Sequence, residues 1–185
     1  MPLVLGMDPG FASFGWAIMD LPRSWEVVCG VGVIRTAPAK KRLRVRATDD
    51  NLTRAGFIAR HLREICHQDS PALICTEAFS QPRSATVAAK VAMSYGVIAG
   101  LAQSLGIPLL QVTPQEIKQS VCGRVAASKA DVRDAIRARY PGHTALDEFE
   151  AAYPEGQYEH GYDAVAAIVA CLDSDMARLV RGMCG

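Results

Sequence analysis

Apolar and polar positions along this chain follow two periods, and the change from one to the other outlines the fold. Leu3-Val4-Leu5-Gly6-Met7 is a short apolar run of the length of a buried strand. Phe14-Gly15-Trp16-Ala17-Ile18-Met19 forms a second, and Pro9-Gly10 with the small residues beside it supplies the turn between them. Trp25 to Ile34 reads as a third strand, with Gly30 and Gly32 permitting a bend or a bulge. The chain therefore opens as an antiparallel meander.

The period then lengthens. Asp49-Asp50-Asn51 can cap a helix, and Leu52, Ala55, Ile58, Leu62 and Ile65 recur at helical spacing. Residues 72–76 form a fourth strand, which Glu77 ends. Residues 84–104 form a long helix whose apolar residues cover most of its circumference, so it is expected to be buried on more than one side. In a chain of this length one of those sides suits a subunit interface; a central core helix is the alternative. Residues 107–112 give a fifth strand. Thr113, Pro114 and Glu116 then make a capping box with proline at the first helical position. A helix follows over about 128–140, then a polar loop with Pro141, Gly142, Pro154 and Gly156, then a last helix over about 162–180. Three leading strands followed by alternating strands and helices predict an α/β fold, a five-stranded mixed sheet flanked by helices.

Composition changes this picture little. A chain of 185 residues suits one domain with a substantial core. No run reads as long and apolar enough to span a membrane, and no basic segment precedes the first apolar run as in a signal peptide. The six cysteines, at 29, 66, 75, 122, 171 and 184, include no C-x-x-C pair. They are expected to be reduced core residues of a cytoplasmic protein and not zinc ligands.

Charge changes it more. The net charge of +1 alone argues against a nucleic-acid binder, but the distribution does not. Nine Lys/Arg and two acids lie between Arg35 and Arg63, whereas six acids and no Lys/Arg lie between Ala145 and Asp163. The first block can hold phosphates. The second can surround a metal site or be a solvated loop.

Three acids stand in awkward places. Asp8 ends the first strand, Glu77 ends the fourth, and Asp163 precedes the apolar run 164–170. His160 lies three residues before Asp163, on the same face if the helix has begun by then. Taken singly, each has an ordinary explanation as a turn, a strand end, a helix-start acid or a loop histidine. Taken together, converging carboxylates and an imidazole need cationic compensation, and oxygen-rich sites of this kind suit Mg²⁺ or Mn²⁺.

Four segments carry a resemblance. L-G-M-D-P-G at 5–10, T-E-A-F at 76–79, I-K-Q-S-V-C-G at 117–123 with A-A-S-K at 126–129, and E-H-G-Y-D-A-V-A-A-I at 159–168 resemble the RuvC family of Holliday junction resolvases, within the RNase H-like nucleases. The likeness extends from Leu3 to about Leu172. It implies a metal-dependent endodeoxyribonuclease, a single RuvC-like nuclease domain over 1–185 that nicks opposed strands of a four-way junction symmetrically. It implies a homodimer through helix 84–104 and a branch-migration helicase as partner. Asp8, Glu77, His160 and Asp163 fall on the family's metal positions, with two ions per site, and Lys118 and Lys129 match lysines near the scissile phosphate. Phe79 is the candidate for the aromatic that probes the junction. The family usually carries Thr where this chain has Phe14, and often a second Gly where it has Val125.

Under that reading the phosphate contacts are Lys40, Lys41, Arg42, Arg44 and Arg46 in the basic loop, Arg83, Arg124, and the stripe Lys129, Arg133 and Arg137, spaced by four along one helix. A broader fork or flap nuclease and a non-catalytic junction-binding module are the alternatives. An actin-like ATPase fits poorly, because no second phosphate loop or Gly-rich adenosine site is present.

Overall fold

A computed structural model describes residues 2–21, 26–80 and 84–182, apart from the side chains of Lys41 and Arg181. Five strands form one sheet: β1 (Leu3–Asp8), β2 (Ser13–Asp20), β3 (Val27–Arg35), β4 (Leu73–Glu77) and β5 (Leu109–Val112). Their order is β3-β2-β1-β4-β5. The first three are antiparallel neighbours, and β4 and β5 join β1 in parallel. The expected mixed sheet with its leading meander is the one observed. The bulge falls where β3 slips against Ile18 and Met19, next to Gly30.

The period of two in β1 sorts its side chains between two cores. Val4 packs into a cluster on the face covered by α6 (Tyr158–Cys171), with α3 (Pro114–Cys122) and α4 (Lys129–Arg139) beside it. Leu5 and Met7 point the other way, toward α1 (Ala47–Asp69) and α2 (Ala85–Leu105). β4 repeats this sorting, with Leu73 and Cys75 on the α6 side and Ile74 opposite. The parity carries Asp8 and Glu77, the last residues of β1 and β4, to the α6 side of the same sheet end. Gly6 lets α6 approach closely, because a side-chain carbon there would overlap the Ala164 carbonyl and the Ile168 side chain.

The helices depart from expectation in four places. α1 starts at Ala47, so Asp49 and Asp50 lie in its first turn and do not cap it, and Leu52 is exposed at 66% instead of joining the core stripe of Ala55, Ile58 and Leu62. The polar loop contains a further helix, α5 (Thr144–Ala152), which docks on β3 through Leu146 and Phe149. The last helix begins four residues early, at Tyr158, and breaks after Cys171. Ser174 bonds the Ala177 amide, and α7 (Asp175–Gly182) starts anew there. Finally, α2 buries only Ser94, Ile98, Leu101 and Ala102, so within one chain it is covered on one side and not on several. By length and composition it is apolar enough to cross a membrane, contrary to the expectation that no segment would be. Its ends nevertheless join neighbouring strands of the sheet, as a parallel crossover requires.

The described cysteines are all free. Cys66, Cys75 and Cys171 are buried as expected, whereas Cys29 is exposed on β3. Cys184 lies outside the described residues.

Candidate active site

Parallel pairing sets Met7 beside Thr76, and the next residues, Asp8 and Glu77, leave the sheet side by side. α6 then brings its first turn across this end. β2 permits that approach only because residue 15, paired with Asp8, is glycine: any side-chain carbon there would collide with the His160 carbonyl. One helical turn on, Asp163 reaches the same place. α3 and α4 close the far side, each begun by a capping box, Thr113 with Glu116 and Ser128 with Asp131. The caps fix the helix starts that carry Lys118 and Lys129.

The result is a cavity of about 360 Å³ lined by Asp8, Glu77, Asp163, Lys118 and Lys129 over an apolar floor that includes Ile117 and Val132. Lys129 Nζ stands 3.3 Å from Asp163 Oδ2 and 3.2 Å from Glu159 Oε2. Burial opposes charge on this lysine, but the two carboxylates outweigh it and hold its pKa above the usual value. His160 Nδ1 donates to Asp8 Oδ2 at 2.7 Å, and this bond, against the effect of burial, raises the imidazole pKa. His160 faces a neighbouring cavity of about 440 Å³ and stands behind Asp8, not on the shared wall.

The carboxylates strain against one another. Burial, with Asp8 and Asp163 nearby, pushes Glu77 up to about 7. Burial and Asp8 push Asp163 up to about 6, although Lys129 pulls the other way. Among the described residues, no three His, Cys, Asp or Glu side chains already aim their donors at one point. The donor set still fits a hard divalent cation. Three carboxylates and an imidazole supply oxygen-rich ligation, and the raised acid pKa values are those of a cluster short of positive charge.

Other predicted site residues take varied positions. Phe79, two residues beyond Glu77, is 43% exposed and packs edge-on against Tyr95, centroids 5.4 Å apart; the Tyr95 hydroxyl donates to the Glu77 carbonyl at 2.7 Å. Arg83 and the Lys41 side chain lie outside the described residues. Arg124 pairs with Asp131 at 2.9 Å and Arg46 with Asp49 at 2.8 Å.

The stripe on α4 differs most from expectation. Lys129 is engaged by Asp163 and Glu159, and Arg133 lies 3.3 Å from Asp134 and 3.6 Å from Glu155. Arg137 bonds Asp147 at 2.7 Å and Glu150 at 2.6 Å. Tyr162 donates to the same Glu150 at 2.6 Å. Arg137 is thus a tie between α4, α5 and α6. Spacing by four showed a shared face but not that the acidic block would lie against it. The sequence reading also missed Glu159, Tyr95 and Arg54. Glu159 was signalled by its place beside His160, and Arg54 by its i, i+4 spacing from Asp50.

Comparison with known proteins agrees with this architecture. The sequence profile of crossover junction endodeoxyribonuclease RuvC matches residues 4–139. A protein of that name from Prochlorococcus marinus (strain MIT 9303) is 31% identical over 133 residues, 72% of this chain and 80% of the relative. One from Synechococcus sp. (strain CC9311) is also 31% identical, over 139 residues covering 72% and 81%. In fold, Thermus thermophilus RuvC in complex with a Holliday junction substrate superposes with a TM-score of 0.73 at 24% identity, covering 98% of each chain. The yeast mitochondrial Holliday junction resolvase Ydc2 gives 0.67 at 14% identity, over 98% of this chain and 82% of that one. The profile match across β1 to α4 and the shared identity with curated relatives carry the assignment: this chain belongs to the RuvC family.

Proposed function

We propose that this chain is a crossover junction endodeoxyribonuclease that resolves Holliday junctions, hydrolysing phosphodiester bonds in paired, symmetric nicks. One observation supports this above the others. In a RuvC family member, Asp8, Glu77, Asp163, Lys118 and Lys129 line one cavity at the carboxyl ends of adjacent strands. The family implies dependence on a divalent metal. The finer reading is two Mg²⁺ or Mn²⁺ ions per site, which Asp8, Glu77 and Asp163 would hold, with His160 joining them only if it gave up its bond to Asp8. When bound, such ions supply Lewis acidity toward the phosphate and a more acidic water.

The chain's own groups do the rest. Lys118 and Lys129 face the place of a phosphate and offset charge that grows there in the transition state. Lys129 is shared between Asp163 and Glu159, so its ammonium is already oriented before DNA arrives. The His160 bond to Asp8 fixes the imidazole and holds the carboxylate's direction. The apolar floor under the cavity lowers the local dielectric and strengthens each of these interactions.

Paired nicks need two sites, and α2 is the surface for pairing. Its outward line is Ala85, Ala89, Ala92, Gly96 and Ala99, exposed and small, so a second helix can approach closely. Cleavage of a labelled synthetic four-way junction with Mg²⁺ or Mn²⁺, beside duplex, fork and flap substrates and with Asp8→Asn, tests the proposal. Symmetric nicks on the junction alone, lost in the variant, support it. Equal cutting of forks and flaps would make it a general branched-DNA nuclease, and tight binding without cutting under either ion would leave only a binding module.

A further inference from the structure

The residues between β3 and α1 form a built arm, and its surface has a composition that the cleavage site does not explain. At the arm's root, Thr36 donates its amide to the Ala12 carbonyl at 2.9 Å and its hydroxyl to the Phe11 carbonyl at 2.6 Å. Arg54, only 7% exposed, donates to the Thr36 hydroxyl at 2.9 Å and lies 4.5 Å over the Phe11 ring. Asp50 accepts from the Ala39 amide at 2.9 Å. The arm is therefore fastened both to the β1–β2 turn that follows Asp8 and to the first turns of α1.

Beyond this root the chain makes one 3-10 turn, Lys41–Leu43, and Arg44 then takes a left-handed conformation at φ 49°. A non-glycine residue there carries a conformational cost. The turn presents Leu43 at 61% exposure and Val45 at 47%, alternating with exposed Arg42, Arg44 and Arg46. Among the described residues Lys40, Arg42 and Arg44 form no ion pair, in contrast to the fully engaged stripe on α4. Aliphatic groups held in water between guanidinium groups suit the minor groove, where arginines meet the backbone and an apolar side chain wedges between base pairs.

Placement supports the same occupant. Arg35, the last residue of β3, pairs with Ser13 at the sheet end that carries Asp8. The cavity of about 440 Å³ between arm and site is lined by Pro38 and Arg54 on one side and His160 on the other. A second copy of the chain is a poorer match, because the acids clustered on α5 and at the start of α6 are mostly engaged by Lys129, Arg133 and Arg137.

We infer that the arm over residues 40–46 is a second DNA-binding element, with Leu43 inserting into the minor groove of a duplex arm beside the branch point and Arg42 and Arg44 gripping the flanking phosphates. This rests on the junction-resolving function proposed above and adds a contact that unstacks DNA at a distance from the cut.

The test uses the full chain without divalent ions, on a four-way junction carrying 2-aminopurine at successive positions outward from the branch. Wild type should raise the fluorescence at one position in each bound arm. Leu43→Ala should abolish that rise and weaken binding about tenfold, with an unchanged salt slope. Arg42→Gln with Arg44→Gln should instead flatten the salt dependence. Leu43 is exposed, so its replacement leaves the core intact, and sedimentation should show an unchanged oligomer. Junction binding by Leu43→Ala equal to wild type in affinity and fluorescence overturns the wedge alone. Loss of the oligomer in Leu43→Ala also overturns it, by making this a protein contact. Failure of wild type to prefer the junction over duplex overturns the functional reading beneath it.

Discussion

Gly15 lies against the His160 carbonyl so closely that a single added carbon at position 15 would overlap it. Gly15 is also the partner of Asp8 across β1 and β2. One missing side chain therefore sets the distance between the strand that carries Asp8 and the helix that carries His160 and Asp163. Both obstructing atoms are backbone, so neither a side-chain rotation nor a small adjustment relieves the clash.

Gly15→Ala is accordingly expected to push the start of α6 off the sheet. Overpacking against backbone should cost about 3 kcal/mol, a fall in Tm of roughly 10 °C. Gly56 is the control. It sits within α1 with nothing inside 4 Å of the added carbon, and Gly56→Ala should raise stability by about 0.5–1 kcal/mol. Thermal melts of the two variants decide the matter, and Gly15→Ala melting with wild type would show that α6 is not held by this contact.

The acid cluster should make the metal-free protein lose stability as pH rises toward about 7. Glu77, pushed up to about 7, and Asp163, to about 6, hold protons in the folded chain that the unfolded chain has already released. Between the ordinary carboxylate range and about pH 7 the folded state binds more protons, so stability falls as pH rises through that window. Glu77→Gln should remove about half of this slope, the rest belonging to Asp163, and raise the metal-free Tm at pH 7.5 by a few degrees, on the order of 1–2 kcal/mol, while cutting cleavage by at least about a hundredfold. Added Mg²⁺ should raise the melting temperature of wild type and not of the variant. Melts in chelator across pH 5–8 check the slope, and a flat wild-type profile would mean that the three carboxylates are not crowded in solution.

Much of this site could be read before the fold was known. Asp8 and Glu77 end apolar runs of the same parity, and parallel pairing of those runs suffices to set the two acids on one side of the sheet. The helix that carries His160 and Asp163 could be foreseen from the apolar run 164–170, but only Asp163 lines the cavity, while His160 turns to the neighbouring one and reaches Asp8 from behind. Helix starts with side-chain caps were equally legible, as at Thr113. What was not legible depends on long-range pairing. α5 is short, flanked by Pro141, Gly142 and Pro154, and offers only Leu146 and Phe149 as its apolar face, so by periodicity it resembles a loop. Its acids then neutralise the α4 arginines, which no pattern within α4 could announce.

Pairing through α2, as proposed above, can be tested at one position. Ala92 and Gly96 are its central small residues. Ala92→Glu should place an unpaired carboxylate in the contact and weaken self-association by more than about a hundredfold, near 3 kcal/mol. The variant should elute as a monomer and nick one junction strand where wild type nicks two. Sedimentation at several concentrations checks this, and a variant as dimeric as wild type would move the interface off α2.

Arg137 separates a structural cation from a phosphate contact. Its guanidinium ties Asp147 on α5 to Glu150, which also accepts from Tyr162 on α6. Burial works against ionisation of Glu150, but the bonds from Arg137 and Tyr162 win and hold its pKa below the ordinary value. A depressed carboxylate pKa stabilises the fold at neutral pH, and that contribution is lost as pH falls through the folded value. Arg137→Ala should therefore cost about 2 kcal/mol at pH 7, and less at acid pH where Glu150 is protonated in wild type as well. Its junction affinity should keep the wild-type salt slope, since no phosphate contact has been removed. A slope lower by about one would instead mean that DNA pulls Arg137 away from its acids on binding, and that the acidic block on α5 is displaced by the substrate.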